Sequence, residues 1–66
     1  MSEESTWHRD AQDRTVVILE SAGWRIQHED EMPITLRPGD VLQIESYTWH
    51  RILPGTGNLV AVIKEI

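Results

Sequence analysis

The sequence contains no cysteine and only one lysine, Lys64, and no part of it approaches the roughly 20 consecutive apolar residues of a membrane-spanning helix. Each absence excludes something. Without cysteine, neither a disulfide framework nor a thiolate zinc site can reinforce the fold. Six basic residues, five of them arginines scattered along the chain, face eleven acidic ones, for a formal net charge of −5. There is no basic patch of the kind that releases counterions from phosphates, which argues against a nucleic-acid partner. Met1-Ser2-Glu3-Glu4-Ser5 is acidic and polar where a secretory signal would be basic and then apolar, so a soluble cytoplasmic protein is expected. A sustained 3.6-residue apolar period is missing as well, which removes the helical classes.

What remains is 66 residues, 39% of them hydrophobic. A chain of that length makes one small domain and buries only about 60% of its surface. Its stability must come from β-packing, from a metal held by histidine and carboxylate, or from self-association. Residues 1–6 have the composition of an acidic tail, and 7–66 are expected to form the single domain. Trp7 to Arg14 has no clear period and concentrates polar, metal-competent side chains, as in an ordered loop or short edge strand. Thr15 to Leu19 is a β-branched run of strand length. Trp24, Ile26 and His28 share one parity and Arg25, Gln27 and Glu29 the other, the period of a half-buried strand. Ile34 to Leu36, Val41 to Glu45, Trp49 to Leu53 and Leu59 to Ile66 read as further strands. Pro38-Gly39-Asp40 and Pro54-Gly55-Thr56-Gly57-Asn58 form turns between them. Six or seven short strands with turn signals at regular spacing predict an all-β barrel or sandwich.

The most specific local pattern runs from Arg37 to Ile52, a tight turn, a strand, a corner, and a histidine heading the next strand. Gly39 and His50 stand at the spacing of the second conserved motif, G-x5-P-x-G-x2-H-x3-N, of the cupin superfamily, which this segment resembles. Leu36-Arg37-Pro38 before the glycine and Asp40 after it are also similar. Glu45 stands where the motif has proline, Tyr47 where it has its second glycine, and Pro54 where it has asparagine. Upstream, His8 resembles the second histidine of the first cupin motif and Asp13 its glutamate, with Thr6 at the position of the missing first histidine. The resemblance spans about residues 7–66 and implies a small antiparallel jelly-roll barrel. It implies a divalent metal (Fe, Mn, Zn or Ni) on His8, Asp13 and His50. His28, Gln43, Tyr47 and Arg51 would stand near a pocket for a small polar or sugar-like ligand.

Two histidines and one carboxylate make a facial ligand set with open positions for substrate or water. Each residue also has a plainer role open to it. His50 could be a histidine hydrogen-bonded to backbone at the barrel mouth, His8 a solvated loop residue, and Asp13 a cap on the turn into Thr15. His28 either ends the core stripe or lines the cavity. Asp10 and Gln12 stand in for Asp13 if the register differs by a residue or two. No nucleophile with an adjacent base and no glycine-rich phosphate loop stands out, so without a metal there is little here for covalent chemistry.

Trp49 has the parity opposite to His50 and is expected to point outward, toward a partner surface. The run Leu59-Val60-Ala61-Val62-Ile63 is apolar on both faces, which in so small a domain predicts a homodimer. Three functions follow: a metal-binding protein with a small ligand, a metal-free binding module, or a structural or regulatory interaction module with an acidic surface.

Overall fold

The computed structural model describes residues 6–65. All but Thr6 of the expected acidic tail, and Ile66 at the end of the last strand, lie outside the described residues. Six strands form: β1 (Arg14–Ser21), β2 (Arg25–His28), β3 (Ile34–Thr35), β4 (Val41–Ile44), β5 (His50–Leu53) and β6 (Leu59–Glu65). There is no helix among the described residues, and so none long and apolar enough to cross a membrane. Each strand falls where β-branched or alternating sequence predicts one. β1 is longer than Thr15–Leu19 because Glu20 and Ser21 continue the ladder to β6 beyond a bulge at Leu19.

The all-β class holds, and no closed barrel forms among the described residues. The strands make two antiparallel sheets, β4-β1-β6 and β3-β2-β5. One reason is the brevity of β3, two residues set between Pro33 and Pro38. Proline brings no N–H to a ladder, so this strand cannot extend to stitch the sheets together. The chain crosses from one sheet to the other at every connection except the β2–β3 hairpin.

Between the sheets lie Val16, Ile18, Ile26, Leu36 and Ile44, with Trp24, Leu42, Ile52, Leu59 and Ala61 packed around them. Ile18 and Ile26 are each 1% exposed. Burying such a side chain contributes about 1.5–3 kcal/mol, so a core of five is small even for this length. Trp24 is only partly buried, and its Nε1 donates to Gly57 O at 2.8 Å, tying the start of β2 to the β5–β6 turn.

The turns carry the backbone chemistry that their residues suggest. Gly39 takes φ 92°, and Arg37 N donates to Asp40 Oδ2 at 2.9 Å to close the Pro38-Gly39 turn. Tyr47, where the resembled motif has glycine, takes φ 59° and keeps the left-handed backbone of that corner. Gly55 is required for another reason, since a Cβ there would overlap Ala22 O and lie 2.6 Å from Gly23 C and 2.7 Å from Trp24 N.

Those two positions predict opposite responses in urea unfolding. Gly55→Ala forces backbone apart and is expected to cost more than about 3 kcal/mol. Tyr47→Gly relieves a left-handed non-glycine residue and is expected to gain about 1 kcal/mol. A Gly55→Ala protein as stable as the parent would contradict the packing of this turn.

Candidate metal centre

At one end of the sandwich, where β1 and β5 begin and β2, β4 and β6 finish, three side chains converge. His8, Asp10 and His50 each offer a ligating atom, and the three atoms lie within 4.8 Å of one another. The backbone arranges this. His8 N donates to His50 O at 3.0 Å and His50 N to His8 O at 2.9 Å, a reciprocal antiparallel bridge that lays the N-terminal segment along the outer edge of β5. His28 is the register partner of His50 on its other side. The three histidines thus form a row across the sheet, with ring centroids 4.4 Å apart for His8 and His50 and 6.3 Å for His28 and His50.

Both histidines of the cluster are oriented in the same way. His50 Nδ1 lies 2.8 Å from Thr48 O, and His8 Nδ1 lies 2.9 Å from Thr6 O. A carbonyl oxygen only accepts, so each Nδ1 carries a proton, and in the neutral form of each ring the lone pair is on Nε2. This is the tautomer in which an imidazole ligates a metal through Nε2 while its other nitrogen is held by a backbone carbonyl. His50 is 3% exposed, and its pKa is pushed below the ordinary 6.5. Desolvation is the leading cause, aided by His8 and His28 and opposed by the bond to Thr48 O and by Asp10. Near neutral pH it is therefore an uncharged acceptor.

Asp10 Oδ2 stands 3.6 Å from His50 Nε2 and 3.3 Å from Arg14 Nη1. The oxygen is buried without a hydrogen bond among the described residues. A neutral His50 in this tautomer gives it nothing, because two lone pairs then face each other, and a cation between them would satisfy both. Ligands on one ion at about 2.1 Å stand roughly 3–3.5 Å apart, so the Asp10–His50 spacing nearly fits already and the 4.8 Å spread closes with about an ångström of side-chain movement.

Beneath the cluster is a cavity of about 220 Å³ between the sheets. Its walls are aliphatic, including Val16, Ile18, Ile26, Leu42 and Ile52, and its polar end is His8, His50 and Arg14. Arg14 Nη2 pairs with Glu65 Oε1 at 3.0 Å, while Arg14 Nε is buried with no hydrogen-bond partner among the described residues. That N–H is a donor without an acceptor at the head of an apolar cavity.

The remaining expected residues are elsewhere. Asp13 Oδ1 accepts the Ser46 N–H at 2.7 Å, so it caps the β4–β5 corner and Asp10 takes its place in the cluster. Gln43 Oε1 accepts from Thr15 Oγ1 at 3.0 Å, on the face of the sheet that points away from the cavity. Arg51 lies 4.7 Å from the Trp7 ring and donates from Nε to Gln27 Oε1 at 2.9 Å, on the outer face of the other sheet. Tyr47 is 61% exposed, and its contribution is a backbone N–H to Asp10 O, at 2.6 Å, that fixes the main chain beside the carboxylate. Trp49 faces outward as its parity predicts, partly covered by Arg9 at 5.0 Å, and borders an open cleft with Trp7, Glu29 and Asp30. Sequence reasoning missed Arg14 and ranked Asp13 above Asp10, although parity points to both corrections. Arg14 continues the inward stripe of Val16 and Ile18, and Asp10 shares the parity of His8.

The lowered His50 pKa has a consequence for stability in metal-free protein. Well above pH 6.5 this residue is unprotonated in both the folded and the unfolded chain. As pH falls below 6.5 the unfolded chain takes up the proton first, so stability drops, and the loss is complete once the pH passes the lower folded value. Thermal unfolding from pH 7.5 to 5 should show this decline, and His50→Gln should flatten it; an equal slope in the variant would contradict the assignment. Comparison of the chain with family models, with curated proteins and with solved structures returns no match, so the chemistry of the site rests on these atoms alone.

Proposed function

We propose that this protein binds one divalent transition metal through His8 Nε2, His50 Nε2 and an Asp10 carboxylate oxygen. The cavity beneath then receives a small ligand that presents an oxygen donor to the metal. The observation that carries this reading is the pair of histidines held by Thr6 O and Thr48 O, with both Nε2 atoms turned from those bonds toward a carboxylate oxygen that has an ion pair to Arg14 but no hydrogen bond among the described residues. Two imidazoles and one carboxylate suit Fe(II), Mn(II), Zn(II) or Ni(II) and leave coordination positions open. His28, 6.3 Å from His50 ring to ring, is close enough to supply a further donor or an acid–base group.

The ligand class follows from the walls. Sequence resemblance suggests a polar or sugar-like molecule, whereas aliphatic walls with one buried, unpartnered Arg14 N–H favour an apolar body carrying a carboxylate or carbonyl oxygen at one end. The reading is compatible with a reduced cupin-like jelly roll, supported by the inward His50 at the head of β5 and the left-handed backbone kept at Tyr47. Cytoplasmic conditions suit it, since nitrogen and oxygen donors need no thiol and the chain has no disulfide to form.

Calorimetric titration of the chelator-treated protein with Zn(II), Mn(II) and Ni(II), and anaerobically with Fe(II), tests the proposal. One equivalent of at least one metal should bind with micromolar affinity or better. His50→Ala should abolish binding and Asp10→Asn should weaken it on the order of tenfold or more, while Asp13→Asn leaves it unchanged. Hexanoate added to the metal-loaded protein should shift the methyl resonances of Ile18, Ile26 and Leu42, and glucose should not. Absence of metal binding would leave the metal-free interaction module as the better reading. Equal losses in Asp10→Asn and Asp13→Asn would contradict the ligand set.

A further inference from the structure

We propose that two copies of this chain pack face to face through the outer surface of the β4-β1-β6 sheet, strands running in opposite directions, with Lys64 of each copy against the partner's Glu20. This does not depend on the metal reading.

Val17 on the central strand is paired with Val41 on one side and Val62 on the other. Directly opposed residues project to the same face, so these three valines form a row across the sheet on the side away from the core. One step along, Glu20 is opposite Val60, with the bulged Leu19 beside it. Leu19 is 55% exposed, Val41 58%, and Val60 and Val62 43% each. The sheet thus leaves a contiguous aliphatic patch bare in a single copy, and the last strand, apolar on both faces in sequence, has only one face covered.

What borders the patch indicates what covers it. At one end are Thr15, bonded to Gln43, and its register partner Lys64. At the other end is Glu20. Lys64 is the only lysine in the chain, and neither it nor Glu20 enters an ion pair among the described residues. The patch therefore has a lysine at one end and a glutamate at the other with aliphatic side chains between them, Glu45 lying beyond Gln43 at the lysine end.

A surface of this kind complements itself under a two-fold axis that reverses the strand direction. The axis passes near the level of Val17 and Ile18, bringing the Val41–Val17–Val62 row over the partner's Leu19 and the partner's Val60. Both Lys64 ammonium groups then reach the carboxylate at the opposite end. A two-fold axis along the strands would instead keep like ends together and bring the two lysines to the same end. A non-self partner would need the inverse pattern, which a second copy already provides. The three-stranded face spans roughly 300 Å² in projection, well under the ~800 Å² a side of a standard interface. A dimer in micromolar exchange with monomer is therefore expected, rather than a permanent one.

Sedimentation velocity across micromolar to millimolar protein tests this, with amide spectra confirming that each variant is folded. The parent should pass from monomer to dimer, and Val62→Asp should remain monomeric. Glu20→Lys and Lys64→Glu should each weaken association about tenfold or more by opposing like charges across both contacts, and the double exchange should restore it to within a few-fold of the parent. A parent that stays monomeric throughout would overturn the proposal. So would a dimer untouched by Val62→Asp, which would place the interface elsewhere, or a double exchange as weak as the singles, which would exclude the Lys64–Glu20 contact.

Discussion

Two reciprocal hydrogen bonds between His8 and His50 hold the histidine-bearing end of this molecule together. They fix an N-terminal segment that has almost no regular structure of its own against the outer edge of β5. Because the bridge is antiparallel and hydrogen-bonded in both directions, it sets the two side chains opposite each other on the same side of the sheet. That alone would leave two imidazole rings free to rotate. The Thr6 and Thr48 carbonyls, each two residues before its histidine, take the Nδ1 protons and remove this freedom. With the segment pinned, Asp10 follows two residues later with the same parity, and its carboxylate lies beside His50 Nε2.

The arrangement is costly for so small a core. A buried neutral imidazole, a buried carboxylate oxygen with an ion pair but no hydrogen bond, and a buried guanidinium N–H without an acceptor among the described residues all lie at one end of a sandwich with five buried apolar side chains. Unsatisfied buried polar atoms usually cost about 1–3 kcal/mol each. A cation shared by the imidazoles and the carboxylate, and an oxygen ligand accepting from Arg14, would satisfy all three and return that free energy to folding. The stability of the fold and the occupancy of the site are then the same question. The aliphatic face of the β4-β1-β6 sheet is a separate feature on the opposite side of the same sheet, and covering it would add burial that 66 residues cannot supply internally.

Much of the architecture was legible because strands announce themselves by parity and branching. Val16 and Ile18, Ile26 and His28, and His50 and Ile52 point inward as their alternation requires. Whether six such strands close into a barrel was not legible, because closure depends on ladder length at the seams, and a two-residue β3 between prolines gives too little. The histidines of the site were found through the spacing of a turn and a strand head. The carboxylate was legible only as a substitute, because matching a motif across a gap favours Asp13 by sequence distance and leaves Asp10 as the alternative. In space, the Asp13 side chain turns to cap Ser46. Arg14 escaped notice because an arginine in a polar segment reads as solvated, although it continues the inward stripe of β1. Tyr47 shows the reverse: an unfavourable residue for a left-handed corner, tolerated because the surrounding bonds fix the backbone.

The central claim is that His8 and His50 both present an Nε2 lone pair to one point beside Asp10. Long-range proton–nitrogen correlation spectra of the histidine rings, recorded at pH 7.5 before and after one equivalent of Zn(II), address it most directly. In metal-free protein both rings should carry their proton on Nδ1, and zinc should shift both Nε2 resonances together while the Nδ1 protons stay in place. A His50 protonated at Nε2, or zinc shifts confined to one ring or to the Nδ1 atoms, would contradict it.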